Sequence, residues 1–425
     1  MKRSTKHAAL GAMTVLATAF GAQAAPLFTS LKAAPAGLVA DASYRALVTD
    51  RATVSVQLVQ ADASQIDAKR STLQLGLGDA GTVYLQNGYR NPDGTQVWYG
   101  TIGHDFGGIG AIAAKATGEI ANDPNNSVMI VRNGDKLTGT IRKNGELYSL
   151  QPLSSGGHAI VRIDESKMPV DHPAAAYAKI YRESQYSGRL LRRQIAASDA
   201  NGSIAKANAI IRVLVAYTPS AAAASGDIVG KITLAVAETN QGYVNSGVAI
   251  TMQLAGTVAT TYTESGNFTT DLTRFRGTAD GYMDSIHTTR NSTAADVGVL
   301  IINNSSACGL ASGIGSTATT AFAAVHYSCA TGYFSFGHEI GHLQSARHDP
   351  ATDPTTTPYA YGHGYRSPTN AWRTIMAYDC PVSCTRINYW SNPAKTYGGQ
   401  AMGTTAVSHN QRVLNATAAT VAAFR

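Results

Sequence analysis

Charged side chains are scarce in this chain of 425 residues, where they make up only 14% of the composition. Lysines are especially sparse in the second half, since only Lys231 and Lys395 follow residue 206. The formal net charge is +7, but residues 205–425 contain 13 basic and 11 acidic side chains and so carry little of it. That half has no basic stripe with interleaved aromatic residues, which argues against a nucleic-acid partner.

Long apolar runs are absent after residue 24, so no segment of the mature chain predicts a membrane span. The run at residues 8–20 is too short to cross a bilayer, and it follows the cationic pair Lys2-Arg3. A small-x-small triplet then occupies residues 22–24. These features are typical of a secretory signal peptide, which we expect over residues 1–24. We therefore predict a secreted protein, extracellular or periplasmic, that does not associate with a membrane.

Cysteine is rare and confined to the C-terminal half, where it occurs at Cys308, Cys329, Cys380 and Cys384. An even number of cysteines in an exported chain predicts two disulfides. Three pairings exist, and we favour Cys308–Cys329 with Cys380–Cys384 because each pair flanks one local segment. A structural zinc site built from cysteines is the alternative.

The first half of the chain has the pattern of a β-rich domain, expected over residues 25–200 with its linker. Short strand-like segments, separated by turn-forming clusters, lie at 53–58, 82–84, 97–101, 127–132, 136–141 and 158–163. A polar helix-like stretch follows at 173–193 and leads into a linker of small polar residues. The histidines of this half, His104, His158 and His172, are isolated in sequence, and we expect structural roles for them.

Three histidines and one glutamate lie close together between residues 338 and 348. His338 and His342 are one helical turn apart, so both rings can face one metal ion. His348 can supply a third ligand if the helix ends near Ser345 and the chain turns back. Three protein ligands with an open fourth position are typical of a catalytic zinc site. Glu339, beside the first ligand, can then take a proton from the water that zinc activates.

A methionine-containing turn at residues 374–378 argues against a surface helix that carries these histidines by chance. Together the two motifs resemble the metzincin zinc peptidases, whose pattern is H-E-x-x-H-x-x-G-x-x-H followed by a Met turn. The resemblance implies that Met376 forms an apolar floor beneath the imidazoles and is not itself a ligand. It also implies that Tyr378 lies near the zinc as an extra ligand or a stabiliser of the reaction intermediate. A packing role is the alternative for this phenol.

Two positions near the third histidine bear on this resemblance. Ser345 replaces the glycine of the family pattern, where the chain is expected to leave the helix with a positive φ. Serine can adopt that conformation at a cost on the order of 1 kcal/mol, so the change affects the turn more than the metal site. Asp349 follows His348 directly, as in the reprolysin-like branch, where this carboxylate supports the turn through hydrogen bonds.

The sequence at residues 376–393 looks like that of secreted bacterial reprolysin-like peptidases, and most like the peptidyl-Asp metalloendopeptidases. This similarity covers residues 205–425 and implies hydrolysis of protein or peptide substrates on the N-terminal side of Asp. Such specificity requires a cation that meets the substrate carboxylate. Because the pocket wall follows the Met turn in metzincins, Arg386 is our first candidate for a bidentate contact and Arg373 the second.

The second half alternates strand and helix patterns, and the resemblance implies an α/β (α+β) catalytic domain with a mixed sheet over residues 201–425. Strands are predicted at 210–217, 249–255, 297–302 and 321–326, and helices at 228–245, 278–289, 334–345 and 406–424. The helix at 334–345 is the zinc helix. In metzincins a substrate pairs with the edge strand of the sheet, and we assign residues 321–326 to that position.

The β-rich first half is interpreted as a pro-domain that inhibits the peptidase within the same chain. No cysteine precedes Cys308, so a cysteine latch is excluded and the inhibiting group has to be a carboxylate, a histidine or steric cover. Asp164 and Glu165 are the candidate carboxylates. Cleavage between residues 193 and 207 would release the catalytic part. The alternative is that the basic residues 192–193 are only a solvated helix end.

Other functions remain open at this point. The chain could be a metzincin of different or broad specificity, or a secreted zinc-binding protein without catalysis in which either half binds a partner. An intact Glu339 argues against the non-catalytic alternative. Asp353 and Asp379 could contribute to a Ca²⁺ site, although no recognisable calcium loop is present. We expect a monomer.

Overall fold

The computed structural model describes residues 25–78, 81–103, 118–180, 182–183 and 208–425. The predicted signal peptide, His104, the basic pair at 192–193 and the linker lie outside these residues. The described chain forms a nine-stranded sheet, a five-stranded sheet and two small two-stranded sheets. None of the helices in the described part is long and apolar enough to cross a membrane.

The N-terminal sheet is antiparallel throughout. Its strands are β1 (Phe28–Ser30), β2 (Thr53–Ala61), β3 (Thr72–Gln74), β4 (Thr82–Arg90), β5 (Gln96–Ile102), β6 (Ser127–Asn133), β7 (Lys136–Lys143), β8 (Glu146–Pro152) and β9 (His158–Ile163). They pair in the order β1-β2-β9-β8-β7-β6-β5-β4-β3, and helix α1 (Ala42–Thr49) precedes β2. The six strands predicted for this half are confirmed, and most extend beyond the predicted bounds.

A two-residue turn between β7 and β8 fixes the register of the central hairpin. Lys143 pairs with Glu146 across the turn, and both central residues have positive φ, 52° at Asn144 and 84° at Gly145. Asn-Gly suits this turn because both residues tolerate the left-handed region, and its twist matches that of the strands. The hairpin predicted at this point is confirmed.

The C-terminal sheet is mixed, as expected for the fold class. Its strands are β10 (Ala209–Tyr217), β11 (Ile250–Ala259), β12 (Val297–Ile302), β13 (Gly309–Ala311) and β14 (Phe322–His326). Their order is β11-β10-β12-β14-β13, and β13 alone is antiparallel to its neighbour. The assignment of residues 321–326 to the edge was wrong, because β13 pairs outside β14. Three residues are too few to produce a strand pattern, so β13 could not be predicted.

Six helices accompany this sheet: α2 (Pro219–Ser225), α3 (Ile228–Ser246), α4 (Phe268–Arg276), α5 (Ser285–Ser292), α6 (Ser335–Leu343) and α7 (Asn410–Val421). The helix predicted at 278–289 is wrong in extent, since the chain forms α4 before it and begins α5 later. Asn267 caps α4 by accepting a hydrogen bond from the Thr270 amide, and Gly277 follows the last turn. The other three predicted helices are confirmed within a few residues.

Two smaller strand pairs follow the helix α6. They are β15 (Trp372–Arg373) with β16 (Thr385–Arg386), which are parallel, and β17 (Asn392–Tyr397) with β18 (Gln400–Met402), which are antiparallel. The first pair holds two arginines side by side, because Arg373 lies opposite Arg386 in its register. Both positions were singled out from the sequence.

The N-terminal sheet packs against α3, so the two halves share a buried interface. Leu234 and Ala237 of α3 join an apolar cluster with Met129 and Val131 of β6. From the end of β9 the chain continues through a short 3-10 helix, Glu165–Lys167. Residues 170–172 then pass beside β13, and residues 174–180 are helical. The N-terminal half therefore reaches into the region of α6.

All four cysteines are paired. Cys308 is joined to Cys329 and Cys380 to Cys384, and no free cysteine remains. The favoured pairing is confirmed, and the alternative of a cysteine zinc site was wrong.

Candidate metallopeptidase site

The ring nitrogens of three histidines converge at the end of α6. The Nε2 atoms of His338 and His342 lie 3.2 and 3.0 Å from Nε2 of His348. The opposite nitrogens, Nδ1 of His338 and Nδ1 of His342, each lie 2.9 Å from a backbone carbonyl, of Ile375 and Ala346 respectively. A carbonyl only accepts, so both Nδ1 atoms carry the proton and both Nε2 atoms present lone pairs.

This cluster has the chemistry of a metal site. All three rings are buried, and burial lowers the pKa of each well below its ordinary value, so the imidazoles stay neutral. Neutral nitrogen donors facing one point repel each other unless a cation lies between them. Three imidazoles are a ligand set that suits zinc. The predicted ligands are therefore brought together, and the donor set fits the expected metal.

The turn after α6 brings His348 back to the first two rings. Ser345 has φ of 71°, and its amide donates to the His342 carbonyl while the Ala346 amide donates to Gly341. These two bonds end the helix in the pattern that is typical of a C-terminal residue in the left-handed conformation. The serine in place of the family glycine thus keeps the turn, at the cost of a positive φ in a residue with a Cβ.

Glu339 is buried beside the cluster. Its side chain is 1% exposed, and burial raises its pKa, against an opposing effect of His172. A Cβ on Gly309 of β13 would lie 2.3 Å from the Glu339 Oε1. Only glycine lets the edge strand pass this close to the carboxylate.

Met376 and Asp349 support the cluster from two sides. Met376 is fully buried in the same apolar cluster as Ile340 and Leu343 of α6, which is compatible with the predicted floor. Asp349 accepts from the amide of Tyr378 at 3.0 Å and from the Thr352 hydroxyl at 3.0 Å. It therefore connects the turn of the third histidine to the Met turn. Arg366 contacts the same carboxylate at 3.1 Å.

Tyr378 stands at the rim of the cluster. Its ring lies 4.3 Å from the ring of His348, centroid to centroid, and its hydroxyl lies 2.9 Å from His172 Nδ1. Burial raises the pKa of this phenol well above its ordinary value, so it stays protonated and can donate a hydrogen bond. The hydroxyl contacts histidine 172 in this structure, which leaves its predicted catalytic role a prediction.

Arg386 is fully buried and holds a carboxylate. Its Nη2 lies 2.8 and 2.7 Å from the two oxygens of Asp171, and Nη1 donates to the Tyr333 carbonyl at 3.2 Å. Burial would raise the pKa of Asp171, but Arg386 and Arg373 hold it below its ordinary value. The first candidate for carboxylate binding therefore binds a carboxylate of its own chain.

Arg373 does not contact that carboxylate directly. Its guanidinium donates to the Ala377 carbonyl at 2.8 Å and to the Tyr333 hydroxyl at 3.0 Å. Its Nε lies 3.5 Å from Asp379. The substrate contact predicted for Arg373 stays a prediction, and in this structure its hydrogen bonds connect the Met turn to Tyr333. Its register opposite Arg386 explains why the two could not be told apart in sequence.

A fourth histidine, His172, completes the cluster. The ligand atoms of His172, His338, His342 and His348 all lie within 4.8 Å of one another, and each residue is buried. His172, for which we expected a structural role, therefore lies within the candidate metal site. It comes from the N-terminal half, more than a hundred residues from the motif, and no spacing connects the two.

The carboxylates proposed to occupy the metal site were wrong as well. Asp164 caps the 3-10 helix through Ser166 and pairs with Lys167 at 3.1 Å. Glu165 forms an ion pair with Arg142 at 2.7 Å. The ion pair of Glu165 anchors the segment that precedes His172, whereas the carboxylate of Asp164 makes local contacts with Ser166 and Lys167.

The acidic residues considered for calcium are engaged elsewhere. Asp353 pairs with the buried Arg347 at 2.9 Å and accepts from Thr355. Asp379 accepts from the amides of Cys380 and Cys384. Both oxygens of Asp353 are engaged, and the described residues contain no other cluster of potential metal ligands besides the four histidines. The Ca²⁺ suggestion has no support.

Similar proteins cover this chain over all or part of its length. Residues 207–391 match a reprolysin-type model of metallo-peptidase family M12. A peptidyl-Asp metalloendopeptidase from Stenotrophomonas maltophilia is 52% identical over 100% of both chains. The protein of that name from Xanthomonas campestris is 50% identical over 93% of this chain and 91% of its own. The one from Pseudomonas fragi is 53% identical over 44% of this chain and 100% of its own.

Proposed function

This chain belongs to the peptidyl-Asp metalloendopeptidase family, and we propose that it is a secreted zinc endopeptidase that cleaves peptide bonds on the N-terminal side of aspartate. The observation that carries the proposal is the convergence of three imidazole nitrogens beside a buried carboxylate, Glu339. A non-catalytic zinc-binding protein has no need of that carboxylate.

His338, His342 and His348 would hold the zinc ion through Nε2. Bound there, zinc would polarise the scissile carbonyl and make a water molecule acidic enough to attack it. Glu339 takes the proton from the attacking water on its carboxylate and delivers it to the leaving amine. The Tyr378 hydroxyl, kept protonated by burial, donates a hydrogen bond to the oxygen on which negative charge develops.

Arg386 confers the preference for aspartate. Its guanidinium is buried, already shaped around a carboxylate, and supported by Tyr333 and Arg373. A substrate aspartate would place its carboxylate where the Asp171 carboxylate lies. An asparagine there would leave the buried guanidinium without a counter-charge, which is costly.

The protein is exported by the segment at residues 1–24 and acts as a monomer on protein or peptide substrates. The β-rich half, residues 25–200, is a pro-domain that inhibits the catalytic part, residues 201–425. Processing between residues 193 and 207 separates them. Two observations support the inhibitory role of the N-terminal half: its buried contacts between β6 and α3, and the presence of its residue His172 in the site.

The test is a digest of an unfolded protein by the secreted enzyme, with fragments identified by mass spectrometry. The new N-termini should begin with Asp, and the Glu339→Gln variant, which conserves shape, should produce none of them. Removal of zinc by a chelator should abolish cleavage, and zinc should restore it. Cleavage at apolar residues would refute the Asp specificity, and cleavage by Glu339→Gln at the normal rate would refute the mechanism.

A further inference from the structure

Residues 170–172 occupy the edge of the C-terminal sheet. The Cys308 amide donates to the Val170 carbonyl at 2.8 Å, and the Gly309 amide donates to the Asp171 carbonyl at 3.0 Å. The acceptors belong to the N-terminal half, and the donors belong to the start of the edge strand β13. An extended peptide that binds a sheet edge uses the same backbone groups. The segment therefore lies where an extended substrate would pair.

Asp171 fills the carboxylate pocket of Arg386. Both carboxylate oxygens contact one guanidinium nitrogen at 2.7 and 2.8 Å, and the pair is buried. The Tyr333 ring packs against the same guanidinium, with 4.2 Å between the guanidinium carbon and the ring centre. The pocket thus contains the chemical group that the proposed specificity selects.

His172 reaches the three other histidines and also engages both polar groups assigned to catalysis. Its ring centre lies 5.2, 5.0 and 4.8 Å from those of His338, His342 and His348. Its Nε2 lies 3.1 Å from a Glu339 oxygen, and its Nδ1 lies 2.9 Å from the Tyr378 hydroxyl. In this position the ring closes the side of the cluster that a substrate carbonyl would approach.

We propose that Asp171 and His172 form a two-residue latch that keeps the unprocessed chain inactive. Asp171 mimics the aspartate of a substrate in the Arg386 pocket, and His172 covers the open side of the three-histidine site, where it contacts Glu339 and Tyr378. This inference rests on the proposed function and adds the means by which the pro-domain silences it.

The order of the two residues explains why the latch is not cleaved. In a substrate cut before aspartate, the carbonyl at the metal belongs to the residue that precedes the aspartate. Here the group that reaches the histidines follows Asp171. The latch therefore crosses the site with the opposite chain polarity, and it fills both recognition positions without presenting a scissile bond.

Ion pairs and packing on both sides of the latch hold it in place. Before it, Glu165 pairs with the buried Arg142, which also donates to the Gly332 carbonyl at 3.1 Å. After it, the ring of Tyr177 lies 5.0 Å from that of His172, and its hydroxyl donates to Asp353 at 3.1 Å. While the chain is intact, these contacts give the latch a high effective concentration at the site. Cleavage of the chain after this segment would remove that advantage.

The first test uses the intact full chain loaded with Co²⁺, whose visible spectrum reports its ligands, and acetohydroxamate as the probe. The wild-type spectrum should not respond to the probe, because His172 covers the open side of the metal site. His172→Gln should bind acetohydroxamate at least tenfold more tightly and show the spectrum of a site open to solvent. Equal response of the two proteins would overturn the latch. If the variant fails to fold, the wild-type measurement alone is decisive, because a wild-type spectrum that responds to acetohydroxamate would refute the latch.

The second test addresses Asp171 through the rate at which a chelator removes zinc from the full chain. Asp171→Asn should lose zinc at least tenfold faster than wild type, because the pocket no longer holds the segment. Asp164→Asn is the matched control, since Asp164 lies in the same segment but is only partly buried, its carboxylate contacts Ser166 and Lys167, and it lies outside the site. The double variant Asp171→Asn with Arg386→Gln should lose zinc no faster than Asp171→Asn alone. Equal rates in Asp171→Asn and Asp164→Asn would refute the mimicry.

The results also separate the latch from the proposed function. If no form of the protein binds zinc, both proposals fall. If zinc binds and cleavage occurs before aspartate, but the spectrum and zinc loss are indifferent to residues 171 and 172, the latch alone falls.

Discussion

Replacement of Arg386 by glutamine should remove the preference for aspartate while leaving the metal site intact. The guanidinium is fully buried and contacts both oxygens of a carboxylate at 2.7 and 2.8 Å. Loss of one partner from a buried ion pair costs about 3–5 kcal/mol. At about 1.4 kcal/mol for each factor of ten, kcat/KM for an aspartate substrate should fall by about two to three and a half orders of magnitude.

The assay compares two peptides that differ only in Asp or Asn after the scissile bond. The wild-type enzyme should favour the Asp peptide strongly, whereas Arg386→Gln should treat both alike. The Asn peptide serves as the internal control, because damage to the fold or to zinc binding would slow both reactions. The processed enzyme is required, since an unpaired Asp171 would destabilise the full-length variant.

Arg366→Gln provides a matched variant from the same region. Arg366 pairs with Asp349 at 3.1 Å and does not contact Asp171. Its loss should lower kcat/KM for both peptides by a similar factor. An unchanged Asp to Asn ratio in Arg386→Gln, with a normal rate, would refute the assignment of the pocket.

Four further outcomes follow from individual contacts. Glu339→Gln should lower kcat by about 10²- to 10⁴-fold with one zinc still bound, as measured by kinetics and metal analysis. Burial lowers the pKa of His158 to about 4, and the Nε2 atom of this ring accepts a hydrogen bond from the Leu137 amide. The stability that neutral His158 contributes is therefore complete above pH 6.5 and is lost as the pH falls toward 4. In urea unfolding of the full chain, the free energy of unfolding should be about 3 kcal/mol lower at pH 4 than at pH 7 because of this group, and His158→Gln should lack this difference. Conversion of Cys308 and Cys329 to serine should cost about 2–4 kcal/mol in the same assay. Ser345→Gly should raise the free energy of unfolding by about 0.5–1 kcal/mol, because φ is 71° there. An equal loss with pH in the histidine variant, or a lower stability of Ser345→Gly, would contradict the respective argument.

The features that could be predicted from sequence are local ones. The spacing of His338 and His342 fixes their common face on a helix, whatever the rest of the fold does. The turn at Asn144-Gly145 determines its own hairpin. The disulfide between Cys380 and Cys384 joins residues only four apart. In each case the physical cause lies within a few residues, so the local sequence pattern predicts the feature.

The features that were missed depend on contacts between distant residues. The edge strand Gly309–Ala311 is defined by its pairing with β14 and has no pattern of its own. His172 and Glu339 are 167 residues apart and meet only because the N-terminal sheet docks on α3. Arg373 and Arg386 look equivalent in sequence, and only their hydrogen bonds distinguish a carboxylate ligand from a residue that positions its neighbours.

As proposed above, both the specificity and the latency of this protein depend on the guanidinium of Arg386. This residue would select aspartate in the substrate and retain Asp171 in the latch, because a buried cation requires a carboxylate in either state. A substitution that relaxes the specificity must therefore loosen the latch. Conversely, Asp171→Asn loosens the latch without altering the pocket of the processed enzyme. Variants of Arg386 should thus show premature activity together with lost specificity, whereas Asp171→Asn should show premature activity alone.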